Sequence, residues 1–271
     1  MKAKISLCAL FLILAPFLQA HDEFKDLSLD ATEINNLDIS CGAGFCKVYG
    51  QKGLNKINME AEIMIKGLSS EKAQKYIEKE VVLSLEKRGS TAYLVSKFRP
   101  HSPFFSYRER VINLTVYIPY EMNLDVDDGS GSLLIENIQG RLKLNDGSGE
   151  TRIQKITGDV NITDGSGEMQ IFDVQGNLDI HDGSGNIVVT GIQGDLIVED
   201  GSGNFKGVDI KGVVDIEDGS GNIRIKDALG DVRVDDGSGS IVINGVEKDV
   251  IIKEEGSGGL DISNVRGEVK K

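Results

Sequence analysis

Residues 182–199 read DGSGNIVVTGIQGDLIVE, and Asp200 starts the same pattern again. Ile187 and Val189 form one alternating apolar pair and Leu196 and Val198 another, the period of two expected of half-buried strands. The Gly-containing stretches between them are turn chemistry. Working outward, DGSG begins at Asp128, Asp146, Asp164, Asp182, Asp200, Asp218 and Asp236, at strictly equal intervals. An eighth form, EGSG, begins at Glu255, a single residue later than that interval would place it. Counted from each Asp, position 6 is apolar in seven of eight copies, with Thr151 the exception, and position 8 in seven, with Gly207 the exception. Position 15 is Leu or Val in every copy. The halves DGSGNIVVT and GIQGDLIVE are themselves related, so a nine-residue unit is doubled.

So short a unit cannot bury an apolar face alone, but stacked copies can. The sequence predicts an all-β protein, a parallel β-solenoid with 18-residue coils and two short strands per coil. Eight coils at ~4.8 Å per rung would make a rod on the order of 40 Å long. A thin Ile/Val/Leu core accounts for the absence of Trp, and ladder hydrogen bonding accounts for the absence of Pro after Pro119.

The chain of 271 residues carries 30 Lys and Arg against 43 Asp and Glu. Setting aside residues 1–20, with Lys2 and Lys4, the net charge is −15, and all of it falls in residues 124–271. That excludes nucleic acid as the main partner, since phosphate contacts need a basic surface. Residues 1–20 have a basic start, an apolar run from Ile5 to Phe17 and Ala20 before the expected cut, the pattern of a signal peptide. The apolar run is short for a span, so no stable membrane insertion is expected after cleavage. The expected location is exported: periplasmic, cell surface or secreted. Two cysteines remain, Cys41 and Cys46, and in an exported chain they are expected to pair as a disulfide.

Residues 21–123 lack the strict repeat and are expected to form a mainly-β capping module at the N-terminal end of the solenoid, which fills 124–271. FKDLSLD, INNLDIS, FCKVYG, KINMEAEIMI, EVVLSLEKR, TAYLVSKF and RVINLTVYIP read as strands, and SSEKAQKYIEK as one short helix capped by Ser69 or Ser70. At the other end the chain stops within the eighth coil, so self-association through the C-terminal coil is a candidate partner mode.

The recurrent DGSG-x-apolar-x-apolar pattern, with GAGFCKVYG as a divergent opening coil, resembles a bacterial putative-adhesin family related to autotransporter-adhesin head domains. The resemblance covers most of residues 30–271 and implies an exported β-solenoid with an adhesin-like role.

The repeated Asp has a structural account, because its carboxylate accepts backbone N–H bonds and closes a tight turn. Stacking would also stack the charges, so Asp128, Asp146, Asp164, Asp182, Asp200, Asp218 and Asp236 are candidate calcium ligands. Against calcium, the slot that repeats-in-toxin coils fill with a ligand Asp is position 6, which is apolar here. No other cofactor is expected. GSG lacks the Gly-Lys-Ser/Thr of a phosphate loop, no G-x-S-x-G elbow is present, and His21, His101 and His181 are scattered. No catalytic residues are therefore assigned. Arg99, Phe104, Phe105 and Tyr107 form an aromatic, basic loop that is a candidate contact for an envelope protein or glycan. The leading expectation is a non-catalytic adhesin-like or envelope scaffold protein. A calcium-binding acidic solenoid and a polysaccharide-acting β-helix enzyme are the alternatives.

Overall fold

The computed structural model describes residues 21–99 and 109–271, so the expected signal peptide lies outside the described residues. Each repeat contributes one strand to each of two 12-stranded sheets. The first sheet carries β9 (Ser130–Ile138), β11 (Gly149–Ile156), β13 (Gly167–Val174), β15 (Gly185–Ile192), β17 (Phe205–Ile210), β19 (Ile223–Ala228), β21 (Ile241–Val246) and β23 (Leu260–Val265). The second carries β8 (Asn123–Asp128), β10 (Leu142–Asp146), β12 (Val160–Asp164), β14 (Leu178–Asp182), β16 (Leu196–Asp200), β18 (Val214–Asp218), β20 (Val232–Asp236), β22 (Val250–Glu255) and β24 (Val269–Lys270). This is the expected parallel β-solenoid.

Successive rungs pair in parallel with an offset of one full repeat, so Leu142 faces Val160 and Val160 faces Leu178. Each inward position thereby becomes a continuous row. Leu142, Val160, Leu178, Leu196, Val214, Val232 and Val250 are all buried. The longer step before Glu255 is a bulge: Val234 pairs with Ile252 but Asp235 with Glu254, leaving Lys253 extra. The fifth copy exchanges volume within its core. Phe205 is buried at position 6, and its ring lies 3.0 Å from where a Cβ on Gly207 would stand.

Two columns set the corners. The last Gly of each DGSG has φ between 131° and 156°, and a Cβ on Gly149 would lie 1.6 Å from the Gly131 carbonyl oxygen. Only glycine lets the turns stack at rung spacing. At the opposite corner position 10 is left-handed, and Asn137, Asp173, Asp209, Asp227 and Asn264 take φ between 55° and 61° there. Asn and Asp tolerate that conformation best among non-glycine residues.

The parallel stack extends two rungs beyond the repeats. β2 (Asn36–Cys41) pairs with β8 and β3 (Ala43–Gln51) with β9. β6 (Thr91–Phe98) and β7 (Arg110–Pro119) form the next rung outward, parallel to β2 and β3. Both sheets therefore run unbroken across residue 123. The N-terminal end is closed by antiparallel strands: β4 (Lys56–Ile65) on β7, β1 (His21–Asp30) on β4, and β5 (Val81–Arg88) on β6. Helix α1 (Ser70–Glu80), entered through Ser69, buries Ala73 and Ile77 at this end. At the other end Leu260, Ile262 and Val265 are only half-buried, and Val269 is exposed.

Candidate functional site

The two turn edges of the solenoid carry its polar chemistry. On the first edge seven strands of the second sheet, β8, β10, β12, β14, β16, β18 and β20, end on the DGSG aspartate, whose alternation points it inward. Asp128, Asp146, Asp164, Asp182, Asp200, Asp218 and Asp236 are between 0% and 6% exposed. The expected turn closure is present: the Ser two residues on donates its N–H to Asp Oδ1 at 2.9–3.2 Å in six copies. The other oxygen distinguishes the copies. Asp146 Oδ2 accepts from the Thr151 hydroxyl at 2.8 Å. The register puts Met169, Ile187, Phe205, Ile223 and Ile241 in the Thr151 slot. Correspondingly, Oδ2 of Asp164, Asp182, Asp200, Asp218 and Asp236 has no partner.

Burial disfavours the charged form of these groups. It pushes Asp164 up to about 6, with the carboxylates of Asp146 and Asp182 adding to the rise. Asp200 rises to about 6 by burial and then through Asp218 and Asp182. Asp218 also rises to about 6 by burial, and Asp128 does so although the Cys41 thiol opposes it. Asp146, Asp182 and Asp236 move in the same direction. Among the described residues, no group of three or more His, Cys, Asp or Glu side chains is arranged to hold a metal ion. The ladder is thus an interior feature, which the repeat alone did not show.

Along the ladder runs an acidic groove of about 670 Å³, whose lining includes Asp164, Asp182, Asp200 and Asp218 together with Thr163, His181, Glu199, Glu217, Asp235 and Glu254. His181 Nδ1 lies 2.8 Å from Glu199 Oε2 and its Nε2 3.4 Å from Asp179 Oδ1. This histidine bridges the carboxylates of its own and the next rung.

The opening rung replaces the ladder with sulfur. Cys41 pairs with Ser96 on one side and has the Asp128 side chain as a neighbour on the other, and Cys46 pairs with Leu133. The two cysteines therefore stand where Asp146 and Thr151 stand in the second repeat. Both are buried, and the structure holds them as free thiols. The Cys46 thiol, and then burial, push the Cys41 thiol well above its ordinary range.

The second turn edge carries a larger groove of about 920 Å³. Its lining includes Lys52, Tyr120, Asn137, Lys155, Thr157, Asp173, Gln175 and Gln193. Lys52 Nζ sits 4.9 Å from the Tyr120 ring centroid, and Lys155 Nζ is 2.8 Å from Glu136 Oε1. Gly191 leaves position 10 without a side chain on its rung. None of these residues was singled out from sequence. The available signal was a break in periodicity: position 12 reads Gln139, Thr157, Gln175, Gln193 in four copies, then Lys211, Leu229, Glu247, Arg266.

Of the expected contact loop, Arg99 is exposed, and its backbone N–H donates to the Glu80 carbonyl at 2.7 Å. Phe104, Phe105 and Tyr107 lie outside the described residues.

Comparison with known families places a match over residues 55–228, well over half the chain, with the model described as Toastrack DUF4097. The chain belongs to the Toastrack DUF4097 family. No curated protein matches this Toastrack chain. Among solved structures it is similar to a putative cell adhesion protein from Clostridium sporogenes, at 11% identity and TM-score 0.34, covering 93% of this chain and 100% of that one. It is also similar to a putative adhesin from Parabacteroides merdae, at 10% identity and TM-score 0.33, covering 93% and 97%. A third is a putative lipid binding protein from Parabacteroides distasonis, at 14% identity and TM-score 0.32, with the same coverage.

Proposed function

We propose that this Toastrack chain is an exported, non-catalytic, adhesin-like envelope protein that binds its partner along the outside of the rod. One observation carries the reading. The inward positions are committed to packing and turn closure, while two open grooves run along opposite turn edges. Such a surface is suited to lateral recognition of an extended partner, an envelope protein or glycan, rather than to transformation of a small molecule. The signal-like residues 1–20 support residence in the periplasm or at the cell surface. In that oxidising compartment the adjacent Cys41 and Cys46 thiols would pair, stapling the opening rung. The half-buried C-terminal rung is the surface for self-association.

The test is retention of the labelled mature chain on washed bacterial envelopes, alongside fractionation of cells expressing the full precursor. Saturable retention and processing to a chain starting near His21 support the reading. A precursor that stays cytoplasmic, or a mature chain that envelopes do not retain, overturns it.

A further inference from the structure

We infer that the groove on the second turn edge is a binding site for a neutral oligosaccharide; this rests on the binding role proposed above and names its ligand class. The argument begins with which polar groups the protein leaves unused. The neighbouring column at position 14 is consumed internally: Asp159, Asn177 and Asp195 each accept the backbone N–H of the next rung at 2.8–2.9 Å. The column at position 5 is also consumed, since Asn204 and Asn222 each donate a side-chain amide to the asparagine one rung earlier at 2.8 Å. By contrast, the side chains of Thr157, Gln175 and Gln193 make no hydrogen bond within the described residues. They line a groove whose lining also includes Val174, and Gly191 opens it sideways.

Charge narrows the ligand. On a molecule of net −13, this groove holds two lysines and one aspartate, and Lys155 is already paired with Glu136. It has neither the field for a polyanion nor the acids for a polycation. Amide, hydroxyl and aromatic groups match a neutral ligand rich in hydroxyls, with Tyr120 as a platform at the N-terminal end.

Spacing narrows it further. The unused groups repeat at the rung spacing, ~4.8 Å, whereas an extended peptide repeats one face at ~6.6 Å, so a peptide falls out of step within a few rungs. Position 12 turns to Lys211 and Leu229 after Gln193, which limits the site to the rungs from Asn137 to Gln193. Those four rungs span roughly 14 Å at ~4.8 Å between neighbours, enough for a short oligosaccharide.

The experiment titrates the mature chain with cellotetraose, N-acetylchitotetraose and mannotetraose, with tetralysine and tetragalacturonate as charged probes. At least one neutral tetrasaccharide should bind with Kd near ~1 mM or tighter, and Gln175→Ala/Gln193→Ala should weaken it by about tenfold or more. Tyr120→Ala should weaken it as well, and the melting temperature of each variant should stay at that of the parent. Binding by none of the neutral probes, tighter binding of a charged probe, or unchanged affinity in both variants would overturn the proposal. Envelope retention is measured on the same variants. Retention that survives in them, with no tetrasaccharide bound, sinks the oligosaccharide site and leaves the broader reading standing.

Discussion

From Asp146 to Asp236 the buried aspartates differ from one another by a single hydrogen-bonding neighbour. Thr151 gives Asp146 a donor that the apolar residues at position 6 do not give the others. Thr151→Val keeps the shape and removes the donor, so it should destabilise by about 1–3 kcal/mol at pH 8, as expected for an orphaned buried acceptor. The loss should shrink as pH falls, because the Thr151 bond favours the ionised carboxylate that burial disfavours; denaturant unfolding at pH 8 and at pH 5 checks this. The Phe205–Gly207 exchange makes a second residue-scale prediction. Phe205→Ala should cost about 3–5 kcal/mol in chemical denaturation, because the small neighbour cannot fill the space. Phe205→Ile/Gly207→Val restores the common pattern and should return most of that loss. Both exceptions were visible in the repeat alignment. Their compensation was not, because only packing shows that the ring fills the space beside Gly207.

Stacked, the aspartates become a ladder with its own pH dependence. Their folded pKa values lie above the ordinary carboxylate value, with Asp128, Asp164, Asp200 and Asp218 at about 6. Between pH ~4 and ~6 the folded state therefore binds more protons than the unfolded state, and stability falls as pH rises through that window. The melting temperature should fall from pH ~4 to pH 8, each kcal/mol moving it by ~2–4 °C. Asp182→Asn/Asp200→Asn, which keeps an acceptor and removes charge, should flatten that slope. Calcium followed by a chelator should move the curve little, since two inward oxygens per pair of rungs fall short of the six to eight oxygens calcium takes. A chelator-sensitive melt would make the ladder a metal site instead. Strand identity and period were legible throughout, and every strand expected in residues 24–120 is present, because alternation is a local signal. The inward direction of the aspartates was masked: each continues an alternating run, as in Leu196, Val198, Asp200, but its charge and the DGSG turn chemistry read as a solvated corner. The grooves were illegible too, because they are made by side chains one full repeat apart that meet only after stacking.

For the whole molecule, stability is a sum of rungs and their interfaces. Deleting residues 182–199 removes one rung in register, so the shortened chain should unfold cooperatively, with circular dichroism of the same shape and a modestly lower midpoint. Deleting only 182–190 sends each later strand to the opposite sheet, so it should leave the chain aggregated or partly unfolded. The family and the rod were readable because a repeat prints its architecture many times over, whereas the two rungs contributed by β2–β3 and β6–β7 are each written once. Those rungs have a consequence for how the protein is made. The β2–β3 rung is gripped from below by β6–β7 and offers its other side to the first repeat. A chain delivered N-terminus first across the membrane completes that foundation by Pro119, before any repeat follows. Every later coil then emerges onto a finished template. No coil has to wait, exposed and sticky, for a partner not yet delivered.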